Sequence, residues 1–388
     1  MIKEIKNNKL SSIDPQSIRE FYIQQGYRFF NPNMTIPANV VMNFMGEDVR
    51  NRLLFTDAPD GEELCLRPDF TLPLALNYLN NQVSAHKFVY DGYAFRFPSD
   101  NEETRSCPEF RQIGIENFGS LEKIKTEVEI ISQTYDILSK LCNFELEIKI
   151  SDISLFFQLL SHLELDSFLT NKIKRLYWQG QGGKEIKKSL ENIIKRKFDT
   201  KIDIKIIESY KKGKLTNLEF KKEFTGYDDL SIYSNRTPEQ IVTNFINKYD
   251  SNYIGELNIS NLDIILEFLS LDEDLQSTIE NLHKFQKKYK LDLSRGIIDF
   301  EDRLEKLEKS NVELNNIKFN ATLSRKVEYY TGLIFQISNK SSQTIDPLAI
   351  GGRYDKIFEE LGSYEPIPSV GCSIYIDRLL HEEVSNEK

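Results

Sequence analysis

The spacing of apolar and polar positions changes period several times along the chain. Ile18, Phe21 and Tyr22 fall on one helical face between Asp14-Pro15, a cap followed by a first-turn proline, and Gly26, a stop signal, which predicts a first helix over 14–26. Residues Tyr27 to Pro37 read as short and extended, broken by Pro32 and Pro37. Leu53 to Thr56 and Glu63 to Arg67 flank Pro59-Asp60-Gly61, a hairpin signal. Phe70 to Leu79 predicts a helix, and Lys87 to Phe97 and Phe110 to Phe118 predict strands around a polar loop, 98–108. An amphipathic helix follows over Thr126 to Leu141, then a strand over Phe144 to Ile150. Late in the chain, strands are expected at Ala321 to Ser324, Leu333 to Ile337, Leu348 to Ile350 and Ser373 to Ile376.

Between these halves the pattern is helical and the charge shifts. Residues 171–222 hold sixteen Lys/Arg against six Asp/Glu, so this stretch is at +10 while the rest of the -10 chain stands at -20. A solvated helical face accounts for such a stretch, and an RNA-binding patch is the competing reading. The segment from Tyr227 to Leu307 is helical again and more acidic. This pattern predicts an α+β fold with a discontinuous core, 1–165 and 316–388, and a mainly helical insertion over 166–315.

Composition narrows the picture modestly. A chain of 388 residues with 40% hydrophobic content can bury one large core and a satellite. A net charge of -10 disfavours a nucleic-acid binder, and tRNA is not an expected partner. Cys65, Cys107, Cys142 and Cys372 lie far apart, which suits reduced thiols in the cytoplasm and neither a zinc site nor a disulfide framework. Met1 to Leu10 does not have the pattern of a signal peptide, and no stretch reaches the length of a membrane span. His86, His162, His283 and His381 have no ligand-spaced neighbours, so no metal or cofactor is expected.

Several polar residues sit where chemistry is possible. In Leu66-Arg67-Pro68-Asp69-Phe70-Thr71, a strand ends and a helix begins, so Asp69 and Thr71 either cap that helix or accept protons from a ligand ammonium group. Gln112, Gly114 and Glu116 alternate along one strand and share a face. That face is either a pocket floor, with room left by Gly114, or a solvated surface of ion pairs; Arg96 on the neighbouring strand supplies a charge for a carboxylate or phosphate. Arg325 precedes Tyr329-Tyr330, of which one ring should point inward and find a hydroxyl partner, with Glu116 as a candidate. Gly351-Gly352, read as lying between a strand and a helix, allow a tight turn or close ligand approach, and Asp355 can pair with Arg353. Arg378 opens the final helix, either as a surface ion-pair residue or as an anion ligand.

In their order, these segments resemble the class II synthetase core of the histidyl type. Leu66 to Thr71 is similar to its Leu-Arg-Pro-Glu-x-Thr, Phe95 to Gly119 to its motif 2, Arg325 to Tyr330 to its Arg-Gly-Leu-Asp-Tyr-Tyr, Gly351 to Asp355 to its Gly-Gly-Arg-Tyr-Asp, and Val370 to Leu380 to its motif 3. The resemblance implies a histidine pocket of Asp69, Thr71, Arg96, Gln112, Glu116, Arg325, Tyr329 and Tyr330. Asp69, Thr71 and Gln112 would hold the ammonium group, Arg325 and Gln112 the carboxylate, and Glu116 and Tyr330 the imidazole. Arg96 and Arg378 would retain anion binding. The departures are Pro98, where the synthetase has an adenine-recognising glutamate, Pro108 in place of a loop arginine, and Lys326-Val327-Glu328 for Gly-Leu-Asp. The chain also ends about ten residues after Arg378, where a synthetase continues into an anticodon-binding domain.

Together these features resemble the ATP phosphoribosyltransferase regulatory subunit family, a synthetase paralogue, in its alphaproteobacterial form. That resemblance implies a non-catalytic subunit that binds a short catalytic phosphoribosyltransferase and dimerises with itself. It further implies a role in the first step of histidine biosynthesis and in feedback by histidine. A truncated synthetase forming histidyl-adenylate is the alternative.

Overall fold

The computed structural model describes residues 13–386 apart from 46, 82–85, 98–107, 164, 166, 179–183, 190–207, 211, 217–218, 220–258, 324–328 and 343–345. Arg325, Lys326-Val327-Glu328, the loop with Pro98 and Arg105, Cys107 and most of the basic stretch lie outside the described residues.

The described strands in chain order are β1 (Arg28–Phe29), β2 (Thr35–Pro37), β3 (Phe55–Asp57), β4 (Glu63–Leu66), β5 (Lys87–Phe95), β6 (Glu109–Phe118), β7 (Leu146–Asp152), β8 (Asp272–Asp274), β9 (Ile317–Asn320), β10 (Leu333–Asn339), β11 (Ala349–Arg353) and β12 (Ser369–Tyr375). The helices are α1 (Pro15–Gln24), α2 (Ala38–Met45), α3 (Thr71–Asn81), α4 (Lys123–Leu141), α5 (Ile153–His162), α6 (Ser167–Trp178), α7 (Ile259–Leu269), α8 (Leu275–Tyr289), α9 (Ser294–Glu308), α10 (Ile357–Glu360) and α11 (Ile376–Asn386).

Nine strands form one mixed sheet, ordered β1-β5-β6-β12-β11-β10-β7-β9-β8, and β2-β4-β3 form a small second sheet. All pairings in the large sheet are antiparallel except β1 with β5 and β7 with β9. Its centre joins segments more than 200 residues apart, because β6 pairs with β12 from Phe118↔Ser369 to Gln112↔Tyr375. Chain contacts divide the molecule into one unit of 1–159, 178–180 and 270–388 and another of 160–177 and 181–269. Within the second unit, Leu169, Ile173 and Leu176 of α6 and Leu262, Ile265 and Leu269 of α7 are buried at helical spacing. Among the described residues no helix is long and apolar enough to cross a membrane.

Local sequence signals explain several boundaries. Asp14 accepts the Gln16 amide at 3.0 Å to cap α1, with Pro15 in the first turn. Gly26 ends that helix at φ +87°. The hairpin of β3 and β4 turns through Gly61 at φ +86°.

One expectation is corrected. The strand expected over Ala321 to Ser324 ends at Asn320, because the Asn320 carboxamide oxygen takes the Thr322 amide and hydroxyl at 2.8 and 2.7 Å and turns the chain. Helices α8 and α9 belong to the first unit, where Arg303 of α9 is buried against Glu127 of α4 and Asp152 of β7.

Candidate functional site

Strand β6 carries the site. The side chains of Gln112, Gly114 and Glu116 share a face with the positions directly opposite them, Gly92, Tyr90 and Phe88 on β5 and Tyr375, Ser373 and Gly371 on β12. Gln112 is 2% exposed and Glu116 1%, which removes the reading of a solvated, ion-paired surface. Gly114 does not open space for a ligand. A Cβ there would collide with the Tyr90 hydroxyl and the Cys372 carbonyl, because the Tyr90 ring crosses it. Tyr90 is fixed by its hydroxyl, 2.5 Å from Ser373 Oγ, and by Phe70, stacked at 4.3 Å with a 4° tilt. Phe70 is backed by the Arg67 guanidinium, 3.9 Å from its ring, and Arg67 donates to the Tyr93 and Pro32 carbonyls at 2.9 and 2.6 Å.

Glu116 is the centre of the site's electrostatics. Thr71, at the first position of α3, donates its hydroxyl to Oε1 at 2.7 Å, and the Tyr354 hydroxyl donates to Oε2. Burial pushes the carboxyl up to about 8, against the two hydroxyl donors and with help from the nearby Asp69 charge. Asp69 is also buried, caps α3 through the Leu72 amide at 3.4 Å, and is raised by burial against the partial compensation of Arg96. Gln112 contributes a buried Oε1 with no hydrogen-bond partner among the described residues.

The tyrosines sort differently from the sequence expectation. The hydroxyl donors on Glu116 are Thr71 and Tyr354, and Tyr354 comes from the Gly-Gly-Arg-Tyr-Asp segment rather than the Tyr-Tyr pair. Tyr330 is buried over Gly352, and its ring lies 4.9 Å from that of Tyr329. Burial, then the charges of Tyr330, Asp69 and Glu116, hold the Tyr329 hydroxyl in its protonated form. Gly351 and Gly352 lie inside β11, not between a strand and a helix, and there they admit the Phe335 and Tyr330 rings. The structure thus gathers Asp69, Thr71, Gln112, Glu116 and Tyr329 with Arg96 beside Asp69, adds Tyr354, Tyr90 and Gly371, and places Tyr330 on the β11 side.

The two arginines expected to bind anions flank an aromatic pair. Arg96 lies 5.5 Å from the Phe110 ring, Phe110 stacks on Tyr375 at 5.9 Å, and Arg378 lies 4.1 Å over Tyr375. Arg378 also donates to the Pro347 carbonyl at 2.9 Å and sits 3.7 Å from Asp346, a weak, partly solvated pair. Among the described residues no cluster of three His, Cys, Asp or Glu is placed to hold a metal ion.

Gly371 makes the Glu116 geometry possible, since a Cβ at that position would overlap the Glu116 carboxylate and come within 2.7 Å of the Ile115 carbonyl. Gly371→Ala is therefore expected to cost about 1–3 kcal/mol of stability through overpacking. The denaturation midpoint measures this, and an unchanged midpoint contradicts the packing described.

The family model of histidyl-tRNA synthetase matches residues 11–211 and 250–379. An ATP phosphoribosyltransferase regulatory subunit from Brucella canis is 29% identical over 346 residues, covering 88% of this chain and 90% of the relative. Among solved structures, an ATP phosphoribosyltransferase regulatory subunit/histidyl-tRNA synthetase from Bacillus halodurans aligns with a TM-score of 0.64 at 17% identity, covering 98% of this chain and 83% of that one. A histidine–tRNA ligase subunit from Alicyclobacillus acidocaldarius aligns with a TM-score of 0.59 at 14% identity, and the alignment spans both chains fully. At those identities the two structures speak for the fold, whereas the family match runs over most of the sequence: the chain belongs to the histidyl-tRNA synthetase family.

Proposed function

We propose that this chain is a regulatory, non-catalytic subunit of ATP phosphoribosyltransferase. In this reading it joins a short catalytic subunit in the cytoplasm, supports the first step of histidine biosynthesis and senses free histidine in the pocket on β6. The observation that carries the reading is the similarity, over nearly nine-tenths of the chain, to relatives bearing that regulatory-subunit name. The pocket supports the ligand. Histidine offers an ammonium group to Asp69, a carboxylate to Arg96 and, by the family resemblance, Arg325, and a ring N–H to Glu116, while Gln112 Oε1, without a partner among the described residues, accepts a donor. Ligand binding biases the partner only through different affinities for two states of the complex, which is the required form of feedback.

A homodimer fits the same reading. Strand β1 is an edge of the large sheet, and Ile23, Phe29 and Met34 around it are exposed. The partly exposed Arg19 lies 5.2 Å from the Phe29 ring.

The test is reconstitution. The short catalytic subunit is expected to gain phosphoribosyltransferase activity on mixing with this chain and to lose it when histidine is added. Calorimetric titration is expected to detect histidine binding, and Glu116→Ala is expected to weaken it at least tenfold. No activation on mixing defeats the subunit reading, and robust histidine-dependent pyrophosphate exchange by this chain alone favours a synthetase.

A further inference from the structure

Residues 353–355 leave β11 in three different directions. Arg353 enters a buried ion cluster, donating to Glu127, to Asp355 at 2.8 Å and to the Lys123 carbonyl at 2.9 Å. Asp355 accepts the Ser369 amide at 2.8 Å and the Lys123 ammonium at 2.8 Å. Tyr354, held between these two anchored neighbours and 2% exposed, points its hydroxyl at Glu116 Oε2. That oxygen occupies the space that any Cβ at position 371 would fill. A glutamate carboxylate on a strand is free to turn about three side-chain bonds. Here one oxygen is fixed by Thr71 from α3 and the other by Tyr354, which follows β11, two strands away from β6 in the sheet.

We propose that Tyr354 is a positioning residue of the ligand pocket: its hydroxyl fixes the orientation of the Glu116 carboxyl and so sets how that group meets a ring N–H. The inference rests on the histidine reading given above for what enters the pocket, but not for the geometry. A donor to the ionised form lowers a carboxyl's proton affinity, so Tyr354 opposes the burial that raises Glu116. The other groups acting on Glu116 are Asp69 ahead of α3 and, as mutual influences, Tyr27 just before β1, Tyr90 on β5, Tyr329, and Cys372 on β12. Arg96 acts on Asp69.

The experiment is Tyr354→Phe in the full chain, with two readouts. In the ligand-free protein, carbon NMR of the labelled Glu116 carboxyl is expected to show a titration midpoint moved upward by about one pH unit, the scale of a lost buried hydrogen bond. In calorimetry, histidine affinity is expected to fall about tenfold at pH 7 and to approach the parent value as the pH passes the carboxyl's titration. A residue that only filled space would weaken binding equally at every pH. An unmoved carboxyl midpoint overturns the proposal, whatever the affinity does. If the parent chain binds no histidine at any pH, the ligand reading fails, while the carboxyl titration still decides the role of Tyr354. Should Tyr354→Phe not fold, 3,5-difluorotyrosine installed at 354 is the substitute. Its more acidic hydroxyl is a stronger donor and is expected to move the midpoint down, and no movement again overturns the proposal.

Discussion

The contribution of Glu116 to the stability of the ligand-free chain is expected to fall as the pH rises from about 4.5 to 8, and Glu116→Gln is expected to remove that contribution. The carboxyl's ordinary value is 4.5 and its folded value is about 8. Within that window the folded state holds a proton that the unfolded state has released, so raising the pH favours unfolding. Below the unfolded value the contribution is fully present; above the folded value it is gone. A shift of this size corresponds to roughly 5 kcal/mol across the window, at about 1.4 kcal/mol per pH unit. The Gln variant carries its own penalty of about 1–3 kcal/mol, since an amide nitrogen cannot accept from Thr71 or Tyr354, but that penalty does not depend on pH. Denaturant titrations of both proteins at half-unit pH steps separate the two effects. Parallel curves would mean that Glu116 does not carry the extra proton.

The second large effect is expected at the ion cluster beneath α4 and α9. Arg303 donates to Glu127 at 3.0 and 2.8 Å and to Asp152 at 3.2 Å, and Arg353 reaches the other Glu127 oxygen. Arg303, Glu127 and Asp152 are each at most 2% exposed. Arg303→Met would leave Asp152 without its cation and Glu127 with only Arg353. Breaking one side of a buried pair typically costs about 3–5 kcal/mol, because the remaining charge keeps its desolvation penalty. Chemical denaturation followed by circular dichroism reads that loss; a change below about 1 kcal/mol would show that water already reaches the cluster. By contrast, Lys125–Glu122 and Lys309–Glu305 are solvent-exposed pairs, and their removal is expected to leave the midpoint nearly unchanged.

Sequence patterning located most elements because their signals are local. The Asp14-Pro15 cap, the Gly61 turn and the period-two strand from Gln112 to Glu116 each depend on neighbours a few residues away. The ordered motifs likewise identified the family, since each motif is a short run of residues. Gly371 was within reach too: once β6 and β12 are paired, the alternation Gly371, Ser373, Tyr375 opposes Glu116, Gly114 and Gln112.

What the sequence could not settle were distances across the chain. Whether Glu116 takes a hydroxyl from Tyr330 or Tyr354 depends on a contact 238 residues away. Whether Gly114 and Gly351 are open or filled depends on the rings of Tyr90 and Phe335, which arrive from other strands. Whether α8 and α9 belong with the insertion depends on Arg303 finding Glu127, 176 residues distant. Local periodicity reports which side of an element is apolar. Only the folded sheet decides which partner occupies that side, because a buried polar group is stabilised by the specific atoms brought within hydrogen-bonding distance of it.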